Sequence, residues 1–348
     1  MSAPEPQDRT VRALTLVQEA EQASPALPVA RRDTWFVSTG NAVRRPGMRP
    51  AAASLYTSAL RGSWVGLPVR SHRARVAADA VLLAKISPAQ GIKLRAAYAR
   101  RGLSLAVQPR AAARRIDNAV RAHEVVAAVD PTLMPALRDH GRLPGGAAYL
   151  VEDWTQGVPL PGTRTVHLAA PELLERLGAV HRSFGITEVA LGEHWGETFA
   201  ERWTDTGATG IVPESAHARV ADLLQDPTMT LARSWCHGDL VMSNILRVGD
   251  RHTLVDWEHS GPAPVMSDVV KLHLYSVEPE RTVRDVLAVW ADLPGGFTPA
   301  EQLVLSHARS ISAYPTRRVV TEAQGRGQIY ERQVRRQVER LQQVLDLS

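Results

Sequence analysis

Three side chains in the second half of the chain have the types and spacing needed to handle a phosphoryl group. The stretch Trp235-Cys236-His237-Gly238-Asp239-Leu240-Val241-Met242-Ser243-Asn244-Ile245-Leu246 sets an Asp and, five positions later, an Asn in one turn-prone loop. Thr253-Leu254-Val255-Asp256-Trp257-Glu258 follows and adds a second Asp at the end of the next apolar run. Phosphoryl transfer asks a protein for few groups. One carboxylate orients or deprotonates the attacking hydroxyl, and hard oxygen ligands hold the Mg²⁺ that bridges the phosphates. Asp239 suits the first task, and Asn244 with Asp256 suits the second. Gly238 lets the backbone turn sharply beside Asp239. A lone His-Gly-Asp is an ordinary turn; the joined pattern through Asn244, Asp256 and Trp257 carries the reading.

The elements that must position these groups follow from periodicity and turn residues. A polar lead-in with a short helix over 8–22 precedes a hairpin over 35–43 and a strand over 80–86. Helices are expected at 89–101 and 109–129, and a strand at 147–152 ends where Gly157 and Pro159 break the pattern. Beyond it the reading is mainly helical, over 171–184, 193–204 and 215–225, interrupted by a strand–loop–strand element at 234–257. A last amphipathic helix carries Ile329, Val334, Val338, Leu341 and Leu345 on one face. The order predicts an α+β fold of two lobes: residues 1–150 strand-rich, with a helical lead-in and an insertion, and residues 151–348 mainly helical.

Composition narrows the function classes. The chain has 348 residues, ample for such a core, and its 44% hydrophobic and 22% charged residues suit a soluble globular protein. A single cysteine, Cys236, excludes an internal disulfide and suits the cytoplasm. The first 32 residues show no signal peptide, and no apolar run approaches the roughly 18 residues of a membrane span. Residues 1–150 hold 22 Lys+Arg against 10 Asp+Glu, whereas residues 151–230 hold 5 against 12. A basic half can meet phosphates or nucleic acid. The arginines are interleaved with alanines rather than clustered with aromatics, which favours a nucleotide over a polynucleotide. The histidines and the one cysteine form no zinc spacing.

His-Gly-Asp-x4-Asn followed by Asp-Trp-Glu resembles the pattern of the aminoglycoside phosphotransferase and choline kinase-like family, relatives of protein kinases. The resemblance runs from about residue 147 to residue 275. It takes in the hinge-like run Tyr149–Leu160, Leu177-Gly178-Ala179-Val180-His181, and Asp268 twelve residues after Asp256. It departs at Pro264, where the family usually has Asp. The resemblance implies a bilobal protein-kinase-like fold with ATP (GTP also suits) and Mg²⁺ held between the lobes. It implies Asp239 as catalytic base, Asn244 and Asp256 as Mg²⁺ ligands, and His237 and Asp268 as supports of the loop. Glu152 and Trp154 fall where a hinge would meet adenine. The family's phosphate-contacting strand Lys and its partner Glu are assigned to Lys85 and Glu124, with Gly62 and Gly66 in the upstream turn; Arg45 after the 35–43 hairpin is the rival cation.

The acceptor stays open at this level. A small hydroxylated molecule, such as an aminoglycoside or other antibiotic, a choline-like alcohol or a sugar, is one reading. The acidic 151–230 segment then offers Glu193, Glu197 and Glu258 to a cationic substrate, against the plain alternative of a solvated face. A second reading is Ser or Thr in a peptide, as the kinase partner of a lanthipeptide-like modifying enzyme. A third is a non-catalytic pseudokinase scaffold.

Overall fold

The computed structural model describes residues 94–98, 103–108, 110–142, 148–153, 155, 157–160, 166–196, 198–323, 325 and 327–347. The strands expected at 35–43 and 80–86 lie outside these residues. So do Arg45, Gly62, Gly66, Lys85, Trp154 and Glu197. The chain divides into two compact units, one running to Ala127 and resuming over Met134–Gln156, the other taking Ala128–Leu133 and Gly157–Ser348.

In the first unit, β1 (Leu94–Tyr98), β2 (Leu103–Gln108), β3 (Leu137–Arg142) and β4 (Ala148–Asp153) form an antiparallel sheet of order β1-β2-β4-β3, accompanied by α1 (Arg114–Val126). The helix expected at 89–101 is therefore corrected to a strand. Leu-Arg-Ala-Ala-Tyr has adequate helix propensity, but its backbone pairs with β2 from Leu94↔Val107 to Tyr98↔Leu103, and tertiary pairing overrides a weak local preference. α1 starts at Arg114 rather than near 109, after a 3-10 turn at Arg110–Ala112. Its buried residues Ile116, Ala119, His123 and Val126 recur at three and four positions and give it one inward face. β4 pairs on both edges, with β2 and β3, and its Ala148, Tyr149, Leu150 and Val151 are all buried. Its last residue is still tied into this unit, paired with Leu103 and donating from Asp153 N to Ala136 O at 2.8 Å. That is why the division falls at Gln156/Gly157 rather than at 150/151.

The second unit is mainly helical. It contains β5 (Val158–Pro159), α2 (Val166–Phe184), β6 (Thr187–Ala190), α3 (Leu191–Trp195), α4 (Thr198–Ala208), α5 (Glu214–Leu223) and β7 (Thr230–Cys236). β8 (Ile245–Val248), β9 (Arg251–Leu254), β10 (Gly261–Pro264), α6 (Met266–Tyr275), α7 (Pro279–Val289), α8 (Pro299–Ile311), α9 (Tyr314–Ala323) and α10 (Gly327–Leu345) complete it. Two three-stranded sheets, β10-β7-β6 and β5-β8-β9, carry the central loop. The helix expected over 193–204 is two helices, because Gly196 adopts φ +70 and ends α3. α8 begins with a capping box in which Thr298 and Glu301 satisfy each other's backbone N–H, with Pro299 in the first turn. The core is built from Leu173, Leu174 and Leu177 of α2, Val269 and Val270 of α6, Leu303 and Val304 of α8, and Leu341 and Val344 of α10. Each such side chain contributes about 1.5–3 kcal/mol of burial. Of the face expected on α10, Val334, Val338, Leu341 and Leu345 are buried, while Ile329 in its first turn is exposed. The short 128–133 segment is stitched to this unit by Leu254 N donating to Leu133 O at 2.7 Å and by Arg176, which ion-pairs with Asp130.

Candidate active site

β7 is the middle strand of its sheet, and Trp235 and Cys236 at its end are buried. It delivers the chain into the loop at a fixed point. Gly238 takes φ +80, and a Cβ there would sit 2.2 Å from the His259 carbonyl oxygen, so only glycine lets the loop lie this close to its neighbour. The carbonyl of Asp239 then accepts from Val241 N at 2.8 Å and from Asn244 Nδ2 at 2.9 Å. This knot is the physical content of the five-residue spacing between Asp239 and Asn244. Asn244 O in turn accepts from Val255 N at 2.9 Å, so the residue before Asp256 is bonded directly to Asn244.

Asp256 has φ 70 and ψ 51, the one non-glycine residue with positive φ among the described residues. Such a conformation is uncommon outside Asn, Asp and Gly and is held by its surroundings. The holding element is Trp257, which is buried, donates from Nε1 to Leu254 O at 3.0 Å, and packs its ring 4.5 Å from that of His237. His237 is itself fully buried. Its Nε2 donates to Val255 O at 3.0 Å, and its Nδ1 accepts from Asp239 N at 3.2 Å. The two bonds select the neutral Nε2–H tautomer and tie the Asp239 loop to the Asp256 strand.

Asp268, in the first turn of α6, accepts from His237 N at 2.6 Å and from Gly238 N at 2.9 Å, one on each carboxylate oxygen. Burial raises its pKa; the His237 ring and the two N–H donors oppose that, and the charge of Asp239 adds to it. Beside it, Cys236 and His181 complete a closely packed buried group. Burial pushes the thiol up and brings His181 down to about 4, so both are neutral at pH 7. Cys236 Sγ contacts Ala263 O at 3.4 Å, and Asp268 is already spent on the loop. The group packs the base of the loop. Pro264 closes β10 opposite Arg233 and leaves the loop geometry intact.

The donor chemistry fits a hard cation. The Asn244 nitrogen is spent on the Asp239 carbonyl, which leaves its oxygen as the coordinating end with a single 3.5 Å contact to Ser243 Oγ. Asp256 adds a carboxylate. Amide and carboxylate oxygens are what Mg²⁺ prefers.

Other expected site residues fall elsewhere. Glu124 is solvent-facing and ion-pairs with Arg121 at 2.6 Å, so α1 does not turn it toward the sheet. The inward residue is its neighbour His123, whose Nε2 lies 3.1 Å from Glu152 Oε1, both buried. One position along a helix is a turn of about 100°, which decides between them. The seven-residue spacing of His123 from Ile116 is the sequence signal that sets it on the buried face. Glu152, expected at the hinge, commits its side chain to this pair. Glu258 is buried, with His259 Nε2 at 3.3 Å, while Glu193 is exposed on α3.

Residues 93–301 match the model of the phosphotransferase enzyme family called APH. The chain belongs to this family and is a phosphotransferase with a hydroxyl group as acceptor. Among curated proteins, none matches the sequence. Among solved structures, choline kinase LicA from Streptococcus pneumoniae is similar at 18% identity, over 76% of this chain and 99% of that one, with a TM-score of 0.45. A thermostable mutant of aminoglycoside phosphotransferase APH(4)-Ia, in ternary complex with ADP and hygromycin B, is 14% identical over 70% and 90%, with a TM-score of 0.41. The GDP complex of aminoglycoside 2'-phosphotransferase-IIIa is 13% identical over 70% and 89%, with a TM-score of 0.49. No helix among the described residues is long and apolar enough to cross a membrane.

Proposed function

We propose that this protein transfers the γ-phosphoryl group of ATP, with Mg²⁺, to a hydroxyl of a small molecule. The observation that carries the reading is the closed loop in which the Asp239 carbonyl holds the Asn244 side chain and the Asn244 carbonyl holds Val255 N, so that the backbones carrying Asp239, Asn244 and Asp256 are tied together. Asp239 orients the acceptor hydroxyl and takes its proton late in the transfer. Asn244 and Asp256 would hold the metal, which would supply positive charge to offset that of the phosphates. His237 and Asp268 keep the loop in register. Little covalent work falls to the protein, so positioning and electrostatics supply most of the rate.

Aminoglycosides, choline-like alcohols and sugars are the acceptor classes to screen, since the similar structures include a choline kinase and a phosphotransferase complex with hygromycin B. The test is transfer of label from γ-labelled ATP to an acceptor panel, with and without Mg²⁺ and with GTP as competitor. Labelled product that depends on Mg²⁺ supports the reading. Nucleotide binding without transfer to any acceptor or to water contradicts it.

A further inference from the structure

α6 does more than supply Asp268. Three and seven residues further on, and therefore on the same side of the helix, it carries Lys271 and Tyr275. Both line an open pocket of about 450 Å³ in the second unit, together with Trp195 of α3, Arg309 of α8, Arg317 of α9 and Tyr330 of α10. Among the described residues, the wall holds three cations, three aromatic rings and no carboxylate. Among the described residues, none of the three cations has an acidic partner within ion-pair distance. Arg309 lies over the Phe199 ring at 5.8 Å and reaches Ser312 Oγ only at 3.5 Å.

Gathering positive groups at a partly buried wall is costly, because each loses water and feels the others. The cost shows in the groups themselves. Burial, then the charge of Arg317, lowers the pKa of Lys271 against the pull of Asp239; burial, then Arg202 and Arg317, lowers that of Arg309. An anion in the cavity would remove the penalty. The cavity is also within electrostatic reach of the candidate base, since the charge of Asp239 acts on both Lys271 and Tyr275. The acidic excess of 151–230 faces elsewhere: Glu193, Glu201, Asp205, Asp222 and Asp226 are exposed, and none lines this cavity. Among the described residues, no member of the expected acidic wall for a cationic substrate lines it.

We infer that the acceptor is an anionic hydroxylated molecule, whose carboxylate or phosphate is held by Lys271, Arg309 and Arg317 against the aromatic wall while its hydroxyl is presented to Asp239. The inference rests on the phosphotransferase reading above and narrows its substrate class, away from polycationic acceptors. Guanidinium groups suit either anion through paired N–H donors, and the ammonium adds a point charge.

The test uses four hexoses that differ in charge: D-glucose, D-glucosamine, D-glucuronate and D-glucose 6-phosphate. Each is titrated calorimetrically into the full chain saturated with ADP and Mg²⁺. The two anions are expected to bind at least about tenfold more tightly than glucose, with glucosamine weakest and the preference falling as salt rises. The better of the two anions identifies carboxylate or phosphate as the recognised group. Lys271→Gln and Arg317→Glu should each remove most of that preference. Arg317 is exposed, so its variant carries the test should Lys271→Gln fail to fold. Equal binding of all four sugars, tighter binding of glucosamine, no binding of either anion, or an unchanged preference in Arg317→Glu would overturn the inference. Failure of the underlying reading looks different: the wild type and Asp239→Asn would then show the same ATP turnover, whatever the sugars do.

Discussion

Replacing Asp268 by Asn tests whether one buried carboxylate holds the loop. The change keeps shape and volume. It converts one of the two oxygens that accept from His237 N and Gly238 N, at 2.6 and 2.9 Å, into an N–H₂ group. One backbone donor then faces another donor, and the other bonds a neutral amide. A hydrogen bond to a charged group contributes about 1.5–3 kcal/mol, and a stranded buried N–H costs about 1–3 kcal/mol. Against this stands relief from burying a charge, which is what raises the pKa of Asp268. The balance is a loss of about 2–3 kcal/mol. The loop then shifts relative to the metal ligands, and a displacement near 1 Å is enough to reduce turnover by about a hundredfold. Urea denaturation reads the first effect. Steady-state kinetics read the second, and kcat should fall while nucleotide affinity changes little. An Asp268→Asn protein with wild-type stability and wild-type kcat would refute the claim that these two bonds position the loop.

Gly238→Ala should be worse than its size suggests. The left-handed conformation costs about 1–2 kcal/mol, and the 2.2 Å approach to the His259 carbonyl forces the backbone apart, so calorimetry should show a markedly lowered Tm; an unchanged Tm would contradict the geometry. Asp256→Ala should abolish the Mg²⁺-dependent part of nucleotide binding, and calorimetry showing equal affinity with and without the substitution would make Asp256 structural. Acid should destabilise the fold early. Burial, then Arg182, holds His181 at about 4, and burial, then Arg340, holds His273 at about 3, against 6.5 in the unfolded chain. The unfolded chain therefore takes up protons first. Stability is complete above pH 6.5 and declines toward the folded values, by about 3–5 kcal/mol per histidine at most. A urea midpoint that stays flat from pH 7 to pH 5 would contradict this.

The loop chemistry was legible because it is tied to short spacings. Asp239, Asn244 and Asp256 lie within eighteen residues, and hydrogen bonds between near neighbours account for their arrangement. The family resemblance extended that reading to Asp268, whose contact with the loop spans thirty-one residues. What could not be read depended on partners far along the chain. β1 is a strand only because β2 is there to pair with it. Glu124 and His123 differ by one position, and the sheet against α1 chooses between them. The cavity cations come from three helices with no common motif, so no local pattern announces them. The acidic balance of 151–230 pointed to a cationic substrate because net charge ignores direction; Glu193, Glu201, Asp205, Asp222 and Asp226 face water, and Glu152 is buried against His123.

The most direct test of the central claim is single-turnover transfer from γ-labelled ATP with Mg²⁺, comparing the wild type with Asp239→Asn across charged and neutral hydroxylated acceptors. The account predicts labelled acceptor from the wild type. In the variant it predicts transfer slowed by about 10²–10⁴-fold, with folding and Mg²⁺-dependent nucleotide binding retained. Transfer by Asp239→Asn at the wild-type rate, with the same acceptor, would contradict it.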